Sequence, residues 1–204
     1  MAQFVNLNPG SLRELHVGNE RLVSYNVEMT EVTGGTFWKA YTPAQIAGTE
    51  PFVLKGGFLG NATASTDLMQ YYDPIDLSDK KLRKLAKEIG PAWVRVSGTW
   101  STKTYYDFDG HTNGVIPEGY NAILTREQWL GVLDFCKDIG AKLLISVADC
   151  EGLHHADEPW NPSQAEQIFA LSKEYGKAID AAEFVNEPNL LAMSGCPKGY
   201  TAEQ

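Results

Sequence analysis

From about residue 78 the sequence repeats one rhythm three times: an amphipathic helix, a glycine, then a short apolar strand. Leu82, Leu85, Ala86 and Ile89 recur at helical spacing, Gly90 ends the run, and Ala92-Trp93-Val94-Arg95-Val96 follows as a strand. The second unit opens at Thr125 with Gln128 three residues on, the signature of a capping box. Trp129, Val132, Leu133 and Cys136 form its apolar stripe, Gly140 closes it, and residues 142–147 read as a buried strand. The third starts at Asn161-Pro162, an N-cap followed by proline at the first helical position, and runs through Ile168, Leu171 and Tyr175 to Gly176. Its strand is Ala182-Glu183-Phe184-Val185-Asn186. Ahead of all three lies an alternating strand over residues 22–28. A chain of this kind is an α/β protein whose parallel strands are joined and covered by helices.

Two architectures use such units, an open doubly wound sheet and a closed (β/α)8 TIM barrel. The connections leaving the strands at their C-terminal ends are long and rich in polar and aromatic residues: 30–77, 98–124, 149–160 and from 187 onward. The returns from helix to strand are short and end in glycine. That asymmetry favours the barrel, whose active site is built from loops on the C-terminal face. Four strands, roughly the first half, are then accounted for by residues 21–204. Residues 1–20 read as a separate N-terminal segment, a strand or two of an accessory β-sandwich. Residues 30–77 are long for one connection and form an elaborated loop or a small subdomain.

Charge and composition narrow the function. Seventeen basic against 26 acidic residues give a net charge of −9 and argue against a nucleic-acid binder, which carries a basic stripe. No apolar run approaches the roughly 18 to 20 residues of a membrane span, and no signal-peptide pattern opens the chain. Cys136, Cys150 and Cys196 are too few and scattered for a disulfide framework or a cysteine-rich zinc site. Adjacent His154 and His155 do not project from one helix face as metal ligands do, and they read as solvated loop. No metal and no cofactor are expected. Gly34-Gly35 and Gly56-Gly57 lack the strand-to-helix setting of a phosphate loop, and Asn61-Ala62-Thr63 fits a glycosylation sequon. Cys150 and Cys196 follow the third and fourth strands on one face. A disulfide and two free thiols are both compatible with that placement, and the bond would favour an exported protein.

The sharpest signal is Glu183-Phe184-Val185-Asn186-Glu187-Pro188-Asn189. A glutamate at a strand end faces the barrel mouth, and Pro188 stops the strand. Glycosidic bond cleavage uses one carboxyl to protonate the leaving oxygen and a second to stabilise or capture the oxocarbenium-like centre. Asn186-Glu187-Pro188-Asn189 resembles the acid/base motif at the end of the fourth strand in the large barrel clan of retaining glycoside hydrolases. Gly90-Pro91-Ala92-Trp93-Val94-Arg95-Val96-Ser97-Gly98-Thr99 and Ser24-Tyr25-Asn26-Val27-Glu28 are more specifically similar to the second and first strands of the heparanase-type family 79, which includes heparanases and β-glucuronidases. The resemblance touches most of residues 20 to 190.

The resemblance implies that Glu187 is the general acid/base and that Asn186 positions the sugar 2-hydroxyl. Strand parity adds neighbours: Ser24, Asn26 and Glu28 share one face of the first strand, and Arg95, Ser97 and Thr99 one face of the second. With Glu28 and Thr99 nearest the mouth, Asn26, Glu28 and Thr99 are candidate substrate contacts. Arg95 lies beneath them, either holding the nucleophile ionised or balancing Glu28 in a buried pair. Asp149 is a candidate rim carboxylate, and Trp100, Tyr105, Tyr106 and Trp160 are candidate sugar platforms. Lys103 is a candidate contact for a uronate.

The nucleophile of this clan ends the seventh strand, whereas Gly199-Tyr200-Thr201-Ala202-Glu203-Gln204 reads as the opening cap of the fourth helix. The expected partners are therefore a C-terminal polypeptide of the same enzyme and an oligo- or polysaccharide, a glucuronide or glycosaminoglycan. The location implied by the resemblance is secreted or periplasmic. The expected activity is that of a retaining β-glucuronidase or heparanase-like enzyme. The alternatives are a clan member acting on neutral β-glycosides and a non-catalytic carbohydrate-binding fragment.

Overall fold

A computed structural model describes residues 5, 6, 8–50, 69–155, 158–190, 193, 195, 196 and 201. Strand β1 (Val23–Glu28) runs directly into the short α1 (Met29–Thr33), followed by β2 (Gly35–Trp38), α2 (Pro43–Ile46) and β3 (Met69–Tyr72). Helix α3 (Lys80–Ile89) precedes β4 (Ala92–Ser97). Strands β5 (Thr104–Asp107) and β6 (Ala122–Thr125) lead to α4 (Arg126–Asp138) and β7 (Lys142–Ser146). Helix α5 (Ser163–Glu174) and β8 (Ala181–Glu183) follow. Strands β1, β4, β7 and β8 form one parallel sheet in that order, in a register that sets Asn26 beside Arg95, Arg95 beside Leu144 and Leu144 beside Ala181.

Side chains of period two divide this sheet into two unlike faces. Val94 and Val96 of β4 and Leu143 and Ile145 of β7 are at most 1% exposed. They pack in one cluster with Ala86 of α3, Trp129, Val132 and Leu133 of α4, and Ile168 and Leu171 of α5. All three long helices therefore cover the same face. Each such aliphatic burial is worth about 1.5–3 kcal/mol. The Trp129 indole N–H, wholly buried, donates to Ser172 Oγ at 2.9 Å, which satisfies the one polar atom of the largest core side chain. The other face carries Asn26, Glu28, Arg95, Ser97, Ser146 and Glu183.

Helix ends follow the sequence closely. Asp79 caps α3 by accepting from the Leu82 N–H at 2.7 Å. Thr125 and Gln128 form the reciprocal capping box of α4, at 3.2 and 2.9 Å. Helix α5 begins one residue later than proline-first reasoning expects, with Asn161 Oδ1 accepting from the Ser163 N–H. At the opposite end of the sheet, Arg21 donates to the carbonyls of Ala92 and Gly140, tying the entry of β1 to those of its neighbours.

Three expectations need correction. The fourth strand stops at Glu183, not at Asn186. Leu85 and Ile89, part of the expected stripe of α3, are 49% and 54% exposed, so the helix buries Ala86 and leaves that flank open. The described residues up to 20 form one 3-10 turn, Pro9–Ser11, and no strand, with Leu12, Leu15 and Val17 exposed. Of the two alternatives open for Cys150 and Cys196, the structure has free thiols, and both are buried, as is Cys136. Of residues 30–77, those described hold α2 and an antiparallel β2–β3 pair, while the Asn61 sequon and Gly56-Gly57 lie outside the described residues. The cap expected over residues 199–204 falls almost wholly outside them too. Among the described residues no helix is long and apolar enough to cross a membrane.

Removing the α4 cap tests the local account. Thr125→Ala should lower unfolding free energy by about 1 kcal/mol, read as a shifted urea midpoint with an unchanged slope.

Candidate functional site

Each strand of the sheet ends in a polar residue on the helix-free face: Glu28, Ser97, Ser146 and Glu183. A carboxylate there needs partners, because burial without compensation costs several kcal/mol. Glu183 finds three. Arg95 Nη2 donates to its Oε1 at 2.5 Å, Ser97 Oγ donates at 2.6 Å, and Ser146 Oγ donates to the same oxygen. Burial pushes the Glu183 carboxyl up, but the hydrogen bonds from Ser146, Ser97 and Arg95 outweigh it and hold it below its ordinary 4.5.

Arg95 uses its planar fork in two further directions. Nη1 donates to Asn26 Oδ1 at 2.6 Å, and Nη2 also reaches Asn186 Oδ1 at 2.8 Å. With Oδ1 turned to the guanidinium, the Asn186 amide points its Nδ2 the other way, where it donates to Glu187 Oε2 at 3.2 Å. A chain of contacts thus runs from β4 to the predicted acid/base. Glu187 itself is exposed and has φ 51, the left-handed region, immediately before Pro188. A non-glycine residue there costs of order 1–3 kcal/mol, and the position before proline disfavours it further. The 3-10 turn Pro188–Leu190 closes the bend, with the Leu190 N–H donating to the Glu187 carbonyl at 2.7 Å.

Glu28 occupies the same end. Its Oε2 is buried with no hydrogen-bond partner among the described residues. Burial raises its carboxyl above the ordinary 4.5; the Asn26 amide and the Arg95 charge pull it back, while Glu31 and Glu187 push it further up. The carboxylate lies against Gly98, where an added Cβ would stand 1.5 Å from Oε2. Gly98 also adopts φ 94, so the position needs glycine for its backbone and for the space.

A groove of about 470 Å³ is lined by Glu31, Phe37, Trp38, Tyr72 and Asp73 among others, and Glu31 Oε2 accepts from the Glu28 N–H at 2.8 Å. Phe37 meets Trp100 edge to face at 5.1 Å, which connects the groove to the loop after β4.

The predicted site residues separate into two groups. Asn26, Glu28, Arg95, Asn186 and Glu187 come together. Thr99 is buried past the Gly98 turn, with its carbonyl accepting from Thr102 Oγ1. Asp149 is not a rim group: it is wholly buried, 3.2 Å from His154 Nδ1, with the Cys196 thiol against its carbonyl. His154, read as solvated, is 4% exposed for the same reason, whereas His155 is exposed. Burial lowers the pKa of Lys103, and its ammonium is engaged by the Met193 carbonyl at 2.7 Å. Tyr106 is core, Tyr105 packs on Tyr120, and Trp160 packs on Phe184.

Two residues that the sequence reading missed are Glu183 and Ser146. A charged residue inside a buried strand demands a cation on the same face, and Arg95 is the one that parity supplies. In comparisons with known proteins, no family model and no curated protein matches the chain.

Two predictions follow from the network and the packing. Glu183→Gln should lower stability at pH 7 by about 1.5–3 kcal/mol. A carboxyl depressed in the folded state stabilises above its unfolded pKa and loses that increment as pH falls through the folded one. The gap between variant and wild type should therefore close below about pH 4.5, and an equal gap at pH 3 and pH 7 would refute the assigned charge. Gly98→Ala should cost more than about 1 kcal/mol, and adding Glu28→Ala should recover only the steric part.

Proposed function

We propose that this chain supplies part of the active site of a retaining glycoside hydrolase, with Glu187 as general acid/base. The observation that carries the reading is the Arg95–Asn186–Glu187 chain at the C-terminal end of a parallel sheet, with Glu28 alongside. The barrel is the architecture that fits best. The strand order β1-β4-β7-β8 follows the chain without reversal, and the long helices cover one face, whereas a doubly wound sheet reverses its order and is covered on both. The polar face then corresponds to the barrel interior. Exposed Val23 on the outermost strand β1 and the open flank of α3 support further polypeptide packing on these edges.

In this mechanism Glu187 gives its proton to the glycosidic oxygen as the bond breaks, then takes one from water. Asn186, held by Arg95, orients Glu187 and offers its amide to the sugar 2-hydroxyl. Glu28 and Asn26 bind hydroxyls, and the groove along Phe37, Trp38 and Tyr72 takes neighbouring sugar rings on its aromatic walls. The nucleophile, a carboxylate about 5 Å from Glu187, comes from the remaining polypeptide of the enzyme. The resemblance to family 79 makes a β-linked glucuronide the first substrate class, and a secreted or periplasmic location belongs to the same reading.

A neutral β-glycoside is the second class, and one observation favours it. Arg95 and Lys103, the cations singled out at this end, are engaged by Glu183, Asn186 and the Met193 carbonyl, while Glu28, Glu31, Asp73 and Glu187 are acidic.

The test uses the complete enzyme with matched aryl β-glucuronide and β-glucoside. Glu187→Gln should reduce kcat by roughly 10²–10⁴-fold with a poor leaving group and by less with one that needs no protonation. Unchanged turnover in Glu187→Gln would remove the acid/base assignment, and the preferred aryl sugar decides between the two classes.

A further inference from the structure

A second cluster lies apart from the strand ends, where β5 runs into the loop Asp107-Phe108-Asp109-Gly110-His111. Asp107 is the last residue of β5, and Asp109 lies two residues on in the bend that follows. Gly110, at φ 74, turns the backbone so that His111 folds back onto both. One oxygen of each carboxylate and a ring nitrogen of His111 all lie within 4.8 Å of one another.

A knot of acids and a histidine on a loop has an ordinary explanation as solvated surface, and Asp109 and His111 are indeed exposed, with side chains 75% and 57% accessible. Asp107 does not fit that explanation. The residue is 6% exposed, and its two oxygens have unequal surroundings. Oδ2 accepts from the Thr112 hydroxyl at 2.5 Å and its N–H at 3.3 Å. Oδ1 is buried with no hydrogen-bond partner among the described residues and is aimed at His111 Nδ1, 3.3 Å away. That nitrogen is already 2.5 Å from Asp109 Oδ1. The counter-charge of Oδ1 is His111 when the ring is protonated, an ion pair whose place a divalent cation can take.

We infer that Asp107, Asp109 and His111 form a divalent-cation site of the zinc type. Two ligand atoms 2.0–2.1 Å from a tetrahedral ion stand about 3.4 Å apart, close to the separation of Asp107 Oδ1 and His111 Nδ1. The ring geometry allows a metal-binding tautomer. His111 Nε2 faces the Tyr105 hydroxyl at 3.2 Å, so a proton on Nε2 donates there and leaves the Nδ1 lone pair toward both carboxylates. One imidazole with two carboxylates suits zinc over magnesium or calcium, which take oxygen ligands. On binding, the ion takes the place between Nδ1 and the two carboxylates, the Nδ1–Asp109 contact widens, and any proton on Nδ1 leaves to water. Water completes the coordination. The site fastens the loop after β5 to the strand, departing from the metal-free expectation of the sequence reading, and is independent of the glycosidase proposal.

Calorimetric titration of the purified protein with Zn²⁺ tests this, alongside Asp109→Asn and His111→Gln, both at exposed positions where folding is preserved. The wild type should take one equivalent, each variant should bind at least tenfold more weakly, and Tyr105→Phe should weaken binding by about tenfold through the ring orientation. Zn²⁺ should raise the Tm of the wild type and not of His111→Gln, and Co²⁺ should give a visible band only in the wild type. Equal Zn²⁺ affinity in wild type and His111→Gln would overturn the site. So would Ca²⁺ binding that is unaffected by His111→Gln, which would mark an oxygen-only carboxylate pair.

Discussion

The face of the sheet turned away from the helices depends on one guanidinium. Arg95 carries a fixed charge into a surface of strands, and its planar fork reaches Asn26 on β1, Glu183 on β8 and Asn186 beyond it. The guanidinium reaches across β7 to the C-terminal ends of the strands, where the neighbouring residues on that face are small. Ser97 and Ser146 stand where bulkier groups would separate β4 from β8, and their hydroxyls supply Glu183 with the donors that Arg95 does not. Remove the guanidinium and three oxygens lose a donor at once. The network is best regarded as a unit whose members have little meaning one by one.

The unlike faces of the sheet follow from connectivity. Each passage from strand to helix to the next parallel strand turns with the same hand, and because the strands are laid down in chain order, the helices accumulate on one side. That side becomes the apolar core. Among the described residues the three long helices leave the other side uncovered and free to hold charge, which is where the strand-end residues converge. The order of the strands, more than any single contact, decides where chemistry can be located.

Local features were legible in the sequence because local physics decides them. The Thr125–Gln128 box, the glycine-closed helices and the alternation of β1 and β4 depend on neighbours a few residues away, and they formed as read. The end of the fourth strand was misplaced because long-range satisfaction settles it. Residues 182–186 have a continuous strand-like pattern, yet once Glu183 is fixed by Arg95 the backbone bends and Asn186 swings inward to meet the same fork. Asp149 and His154 were misread for a related reason. Each looks like a surface loop residue alone, and their mutual contact, with the Cys196 thiol on Asp149, helps make burial of both tolerable. The alternation of polar residues did identify Asn26, Glu28 and Arg95, since parity survives whatever the strand ends do.

The torsion of Glu187 has a consequence for how such a sequence drifts. Glycine or asparagine would sit more comfortably at φ 51, so a lineage under selection for folding alone would be expected to abandon the glutamate. A carboxylate at this torsion is therefore held at a cost to folding that glycine would not incur.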